Sequence, residues 1–184
     1  MTRDLADAIP EDLVPPDAPW PVILGLDPGT RCVGFGAIVS ADSGPRLLAC
    51  GAIEPGGRRP VPERLAYIAR DVRLLLRRLR PAVVVIEKAF HAVNAQSALR
   101  IGEGRGVLLA SAAEFGSAIA EYPPAVAKKA VMGNGGASKV QVRAMVTRIL
   151  GLAEPPESED ASDALALALA HIHRLRTIDV LGGR

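Results

Sequence analysis

Twice in this chain an apolar run of strand length stops on a carboxylate. Residues 22–27 read Val-Ile-Leu-Gly-Leu-Asp and residues 82–87 read Ala-Val-Val-Val-Ile-Glu. Both are short and rich in branched aliphatics, as buried strands are. Between them the apolar period changes: Leu65, Ile68, Val72, Leu75, Leu76 and Leu79 recur at helical spacing, which predicts an amphipathic helix over 62–79. A strand, a helix and a returning strand form a crossover, so the two acid-terminated strands are expected to run parallel.

The remaining pattern completes an α/β chain. Runs at 33–39 and 47–53, with Asp27-Pro28-Gly29-Thr30 and Ser43-Gly44-Pro45 as turns, predict an antiparallel meander with the first strand. Helices are expected over 94–115, 123–132, 139–150 and 158–175, and a fifth strand over 118–122. The fold class is therefore α/β, with a mixed five-stranded sheet (three strands antiparallel, then parallel) flanked by helices. A length of 184 residues suits one domain. Residues 1–20 hold four prolines and five acids against Arg3, a net charge of −4, and are expected to be a flexible acidic, Pro-rich extension. The folded domain is expected over 21–176 and a short tail over 177–184. Of the total charge of +2, the chain beyond residue 20 carries +6, which is compatible with a nucleic-acid partner and equally with a solvated surface. The arginines of the 62–79 helix (Arg64, Arg70, Arg73, Arg77 and Arg78) read first as a solvated face. Cys32 and Cys50 lie in apolar stretches and read as small core residues. No signal sequence and no apolar run near the ~20 residues of a membrane span is visible, so a cytoplasmic protein with no membrane association is expected.

The acids carry the chemistry. Asp27 and Glu87 close buried strands, where an ionised carboxylate is costly unless it is paired or metal-bound. Asp160 and Asp163 open the last helix three residues apart, on one face, ahead of Ala164-Leu165-Ala166-Leu167-Ala168. Singly, each has an ordinary explanation: a strand-end acid can cap a neighbouring helix, and acids at a helix start complement its dipole. Together, two adjacent strand ends and one helix start can bring four carboxylates to one place. Such a cluster suits Mg²⁺, a hard cation that takes oxygen ligands, and a pair of such ions can drive phosphodiester hydrolysis. The expected metal ligands and catalytic groups are Asp27, Glu87, Asp160 and Asp163.

Three ordered blocks give the chain a family likeness. Ile23-Leu24-Gly25-Leu26-Asp27-Pro28-Gly29-Thr30-Arg31 with Gly34-Phe35-Gly36 is the first. Ile86-Glu87-Lys88-Ala89-Phe90 with Asn94-Ala95-Gln96-Ser97-Ala98-Leu99 and Gly104-Arg105-Gly106 is the second. Asp160-Ala161-Ser162-Asp163-Ala164-Leu165-Ala166, running on to His171-Ile172-His173, is the third. Together they resemble the RuvC-type Holliday junction resolvases over about 22–175. The resemblance implies a ribonuclease-H-like fold and a homodimer that cuts two symmetric strands of a four-way DNA junction during recombination and repair. It implies Mg²⁺, two ions per site, with Mn²⁺ as a substitute, and products with 5′-phosphate and 3′-hydroxyl ends. A branch-migration complex of the RuvA–RuvB type would be the partner. The same four acids match the catalytic set. Phe90 matches an aromatic that stacks on junction bases, Lys128 and Lys139 match basic residues near the cleaved strand, and Arg100 and Arg105 are further DNA-binding candidates.

Other classes fit less well. A YqgF-type ribonuclease-H-like nuclease shares the opening Asp-x-Gly pattern but not the long 94–115 helix with the Phe90 block. The actin and sugar-kinase fold also uses Asp-x-Gly-Thr, yet needs two large domains. A catalytically silent junction-binding module would have no need of all four acids.

Overall fold

The computed structural model describes residues 5–14, 18–88 and 94–182. Five strands, β1 (Val22–Asp27), β2 (Val33–Ala41), β3 (Gly44–Ile53), β4 (Val83–Glu87) and β5 (Ala118–Tyr122), form one sheet in the order β3-β2-β1-β4-β5. β1 pairs antiparallel with β2 and β2 with β3, whereas β1–β4 and β4–β5 are parallel. This is the mixed sheet expected from the sequence, with the fifth strand in place.

Among the described residues six helices flank it: α1 (Leu5–Ala8), α2 (Val61–Leu79), α3 (Ala95–Phe115), α4 (Pro124–Met132), α5 (Lys139–Ile149) and α6 (Glu159–Gly182). Strand alternation divides the core. Leu24, Leu26, Val84 and Ile86 face α2 and α3 with Ile68, Val72, Leu75, Leu76 and Leu108. Ile23 and Val85 face the other way, against α6 and the helices beside it. By the same alternation Asp27 and Glu87 belong to the α6 face.

The approach of α6 depends on missing side chains. A Cβ built on Gly25 would lie 1.9 Å from the Ala164 carbonyl oxygen, and one on Gly34 would lie 2.1 Å from that of Asp160. Those separations are far inside van der Waals contact, so α6 rests directly on the β1 and β2 backbone. Its own contact residues are small, with Ala161, Ala164 and Ala168 buried. Ser158 starts the helix by accepting a hydrogen bond from the Ala161 N–H at 3.0 Å. Asp160 and Asp163 consequently fall in its first turns, over the strand ends.

The structure departs from the sequence expectations at both termini. The described part of 1–20, expected to be a flexible extension, is docked: Ile9 and Val14 are buried in the core facing α2. The Arg78 guanidinium donates to the Ile9 carbonyl and that of Arg80 to the Val14 carbonyl. Acids and prolines mask this in the composition, because the anchoring apolar residues are few and widely spaced. At the other end α6 continues to Gly182 through most of the expected 177–184 tail. No glycine or proline interrupts it from 159 to 181, and the Thr177 hydroxyl donates back to the His173 carbonyl at 2.8 Å.

Introducing a methyl group at Gly25 must lift α6 from the sheet. Overpacking of this kind costs about 1–3 kcal/mol, so Gly25→Ala is expected to lower the thermal midpoint by several degrees in differential scanning calorimetry. A midpoint equal to that of the parent sinks the close-packing account.

Candidate active site

β1 and β4 run in register, Ile23 beside Val83 through Leu26 beside Ile86. One residue further on, both strands end, and the side chains of Asp27 and Glu87 emerge at the same edge. α6 lays Asp160 and Asp163 over that edge. Asp27 is the hub of the cluster: Glu87, Asp163 and Asp160 all act on it electrostatically.

Two basins meet at Asp27. The smaller, about 200 Å³, is lined by Asp27, Glu87 and Asp163 together with Lys128 of α4 and Lys139 of α5. The larger, about 680 Å³, is lined by Asp27 and Asp160 with Thr30, Cys32, Arg64, Ser97 and Arg100 among its walls. The acid cluster thus forms a divide between a lysine-lined and an arginine-lined hollow.

Local capping sets the lysine side. Ser138 and Gln141 make a reciprocal capping box, with the Ser138 hydroxyl accepting from the Gln141 N–H and the Gln141 side chain accepting from the Ser138 N–H. Helix α5 therefore begins at Lys139, whose ammonium lies 3.2 Å from Asp163 Oδ2 and 3.6 Å from Glu159 Oε2. Burial works against the charge on Lys139, but Asp163, Glu159 and Asp160 outweigh it and hold its pKa above the ordinary lysine value.

The acids are strained electrostatically. Burial, then Glu87, Asp163 and Asp160, push the Asp27 carboxyl from 3.8 up to about 8, with Lys139 opposing. Burial and Asp163 raise Glu87 as well, while Lys139 and Lys128 hold it down. The four acids supply only oxygen donors, the ligand type of hard divalent cations, and the crowding at Asp27 is relieved by added positive charge. The residues fit such a cation. Among the described residues, however, no three acidic, histidine or cysteine side chains close into a compact cage. Glu87, Asp160 and Asp163 act on Asp27, and the Lys139 ammonium is the countercharge beside Asp163.

The other expected residues divide. Lys128 and Lys139 line the smaller basin and Arg100 lines the larger, where it also pairs with Glu103 at 2.9 Å. Arg105 lines neither, and its guanidinium pairs with Glu121 on β5. Phe90 lies outside the described residues. Cys32, read as a core residue, is only half-buried, and its thiol donates to Asp160 Oδ2 at 2.9 Å. Burial and Asp160 raise its pKa strongly, so it is held as a neutral donor. Arg64, read as part of a solvated face, is 8% exposed and faces the larger basin. No pattern in the sequence marks either. Both depend on which strand end the β2 start and the α2 start are brought beside.

The family model described as crossover junction endodeoxyribonuclease RuvC matches residues 23–171. A crossover junction endodeoxyribonuclease RuvC of Koribacter versatilis is 44% identical over 158 residues, 85% of this chain and 95% of that protein. The Thermus thermophilus RuvC structure superposes with a TM-score of 0.77 at 34% identity, covering 85% of this chain and 96% of that one. A second structure of that protein, in complex with a Holliday junction substrate, gives the same TM-score at 32% identity and the same coverage.

The folded-state pKa of Asp27 lies above its unfolded value, so the folded protein holds a proton that the unfolded chain has released. Between about pH 4 and pH 8 the Asp27 contribution to stability falls as pH rises, because at this group the unfolded state binds fewer protons. Asp27→Asn removes this penalty. The variant's thermal midpoint is expected to exceed the parent's by a margin that widens from pH 4.5 to 8.5 in metal-free buffer and narrows when Mg²⁺ is added. A pH-independent margin contradicts the raised Asp27 pKa.

Proposed function

Because the chain belongs to the RuvC family of crossover junction endodeoxyribonucleases, we propose that it resolves four-way (Holliday) DNA junctions by paired, symmetric hydrolytic nicks. The observation that carries the reading is the crowding at Asp27, where Glu87, Asp160 and Asp163 surround a carboxyl raised to about 8. Asp27, Glu87, Asp160 and Asp163 would hold divalent cations, two of Mg²⁺ or Mn²⁺, which would supply the charge to acidify an attacking water and to balance the negative charge on the departing 3′ oxygen. Cleavage on that side leaves 5′-phosphate and 3′-hydroxyl ends.

The basic residues do the rest. Lys128 and Lys139 meet the phosphates of the cleaved strand, and Lys139 leaves Asp163 for phosphate when the strand and its cations arrive. Arg100 adds a phosphate contact from the start of α3. Phe90 stacks on junction bases, and Arg105 contributes to the basic surface of the same helix. Two copies of the chain act as a homodimer, one site per symmetric strand. The reaction serves recombination and repair in the cytoplasm, beside a branch-migration complex of the RuvA–RuvB type. No described helix is long and apolar enough to cross a membrane.

The test is cleavage of a synthetic four-way junction in Mg²⁺, with linear duplex of the same sequence as control. The parent is expected to cut the junction in paired strands and spare the duplex. Asp163→Asn is expected to lose at least about 100-fold in rate, because losing a direct ligand exceeds the 10–100-fold typical of outer-sphere partners. Its junction binding in a gel-shift assay should be no weaker than the parent's, since phosphate contacts come from the cations of the surface. Rapid cleavage by Asp163→Asn overturns the metal assignment.

A further inference from the structure

Arg64 stands on α2 four residues from Pro60, in the helix's first turns. Three physical terms oppose a cation there. Its residue is 8% exposed, and its Nε is shut off from solvent. It lies near a helix N-terminus, where the dipole disfavours positive charge. It also lacks compensation: among the described residues its Nε has no hydrogen-bond partner, and it takes part in none of the ion pairs. The contrast with its neighbours on the same helix is direct. Arg70 pairs with Asp71, Arg73 with Glu114 and Arg78 with Glu11.

A buried guanidinium without a partner is destabilising unless an anion reaches it. Arg64 faces an open hollow that can admit one. The 680 Å³ basin also presents Thr30, Ser97 and Arg100, and its acidic wall is Asp27 and Asp160. A free monovalent carboxylate would meet those two acids with little to hold it. In the nuclease reading a phosphodiester strand would be anchored at the acid cluster through divalent cations, and its next phosphate would lie a few ångströms to one side. Lys128 and Lys139 occupy one side of Asp27, and Arg64 with Arg31 and Arg100 occupies the other.

We propose that Arg64 is a substrate-binding residue, its buried guanidinium completed by a backbone phosphate of the cleaved DNA strand adjacent to the scissile one. The fork geometry of arginine suits this bidentate contact to phosphate oxygens. This rests on the nuclease reading above, with the strand threaded across the acid divide from the lysine basin to the arginine basin.

The test is Arg64→Gln, with Arg64→Lys as the charge-preserving companion, in the full chain. Dissociation constants for the four-way junction are measured from 50 to 300 mM salt without cleavage, in Ca²⁺ or with Asp163→Asn as background. Removing one phosphate contact makes the salt slope shallower by about 0.9 and weakens binding roughly tenfold near 0.1 M salt. Arg64→Lys should keep most of the slope. The junctions are also prepared with single methylphosphonates flanking the cleavage point. One neutral phosphate should weaken the parent about tenfold and leave Arg64→Gln unaffected. Free Arg64→Gln protein should melt no lower than the parent, because an uncompensated buried charge has been removed. A lower midpoint with an unchanged salt slope, or equal methylphosphonate sensitivity in both proteins, overturns the proposal and makes Arg64 structural. A parent that binds linear duplex as tightly as the junction overturns the junction reading instead, and the Arg64 comparison still stands on the duplex.

Discussion

The contact on which the site depends is backbone against backbone: α6 lying on β1 and β2. An ordinary helix packs on a sheet through side chains, about 10 Å away. Here Gly25 and Gly34 remove the side chains from the sheet, and alanines thin those of the helix. The gain is proximity. Acids on a helix and acids on strand ends otherwise stand too far apart to act on one another. With the glycines in place, Asp160 and Asp163 are near enough to raise the pKa of Asp27.

That proximity has an electrostatic cost, and the surrounding elements distribute positive charge to meet it. α5 contributes Lys139 at its capped start and α4 contributes Lys128, and α2 and α3 contribute arginines from the opposite side. The turn after β1 is held by α3 in the same manner as the strands by α6, since a Cβ on Gly104 would meet the Gly29 carbonyl at 2.7 Å. The acid-bearing turn is therefore gripped from both faces of the sheet, and its geometry does not rest on loop conformation alone.

Much of this was legible in the residues. The period switch between 22–27, 65–79 and 82–87 reports the parallel crossover directly, because burial imposes those periods. The acids at strand ends stand out because apolar neighbours make them costly. Other features leave no local trace. Cys32 looks apolar until β2 is placed beside the start of α6. Arg64 looks like any arginine on a polar helix face, and only the register of α2 against the strand ends buries it. The docking of Ile9 and Val14 was hidden because two anchors among acids and prolines do not make a period. In each case the decisive information is a long-range contact, which hydrophobic patterning does not encode.

The crossover helix also acts as a ruler. Because β1 and β4 are parallel, the connection between them must cross the full height of the sheet, starting at the edge where the strands end and finishing where they begin. α2 therefore has one terminus beside the acids and the other beside the chain's entry into β1. Its arginines take different duties according to height. Arg64 faces the acid edge, while Arg78 and Arg80, about 21 Å and more further along at 1.5 Å per residue, fasten the segment that leads into β1. One helix thus joins the anchoring of the N-terminal segment to the substrate edge through a rigid body. Deleting residues before β1 would unload one end of that ruler while leaving all four acids of the site in the chain.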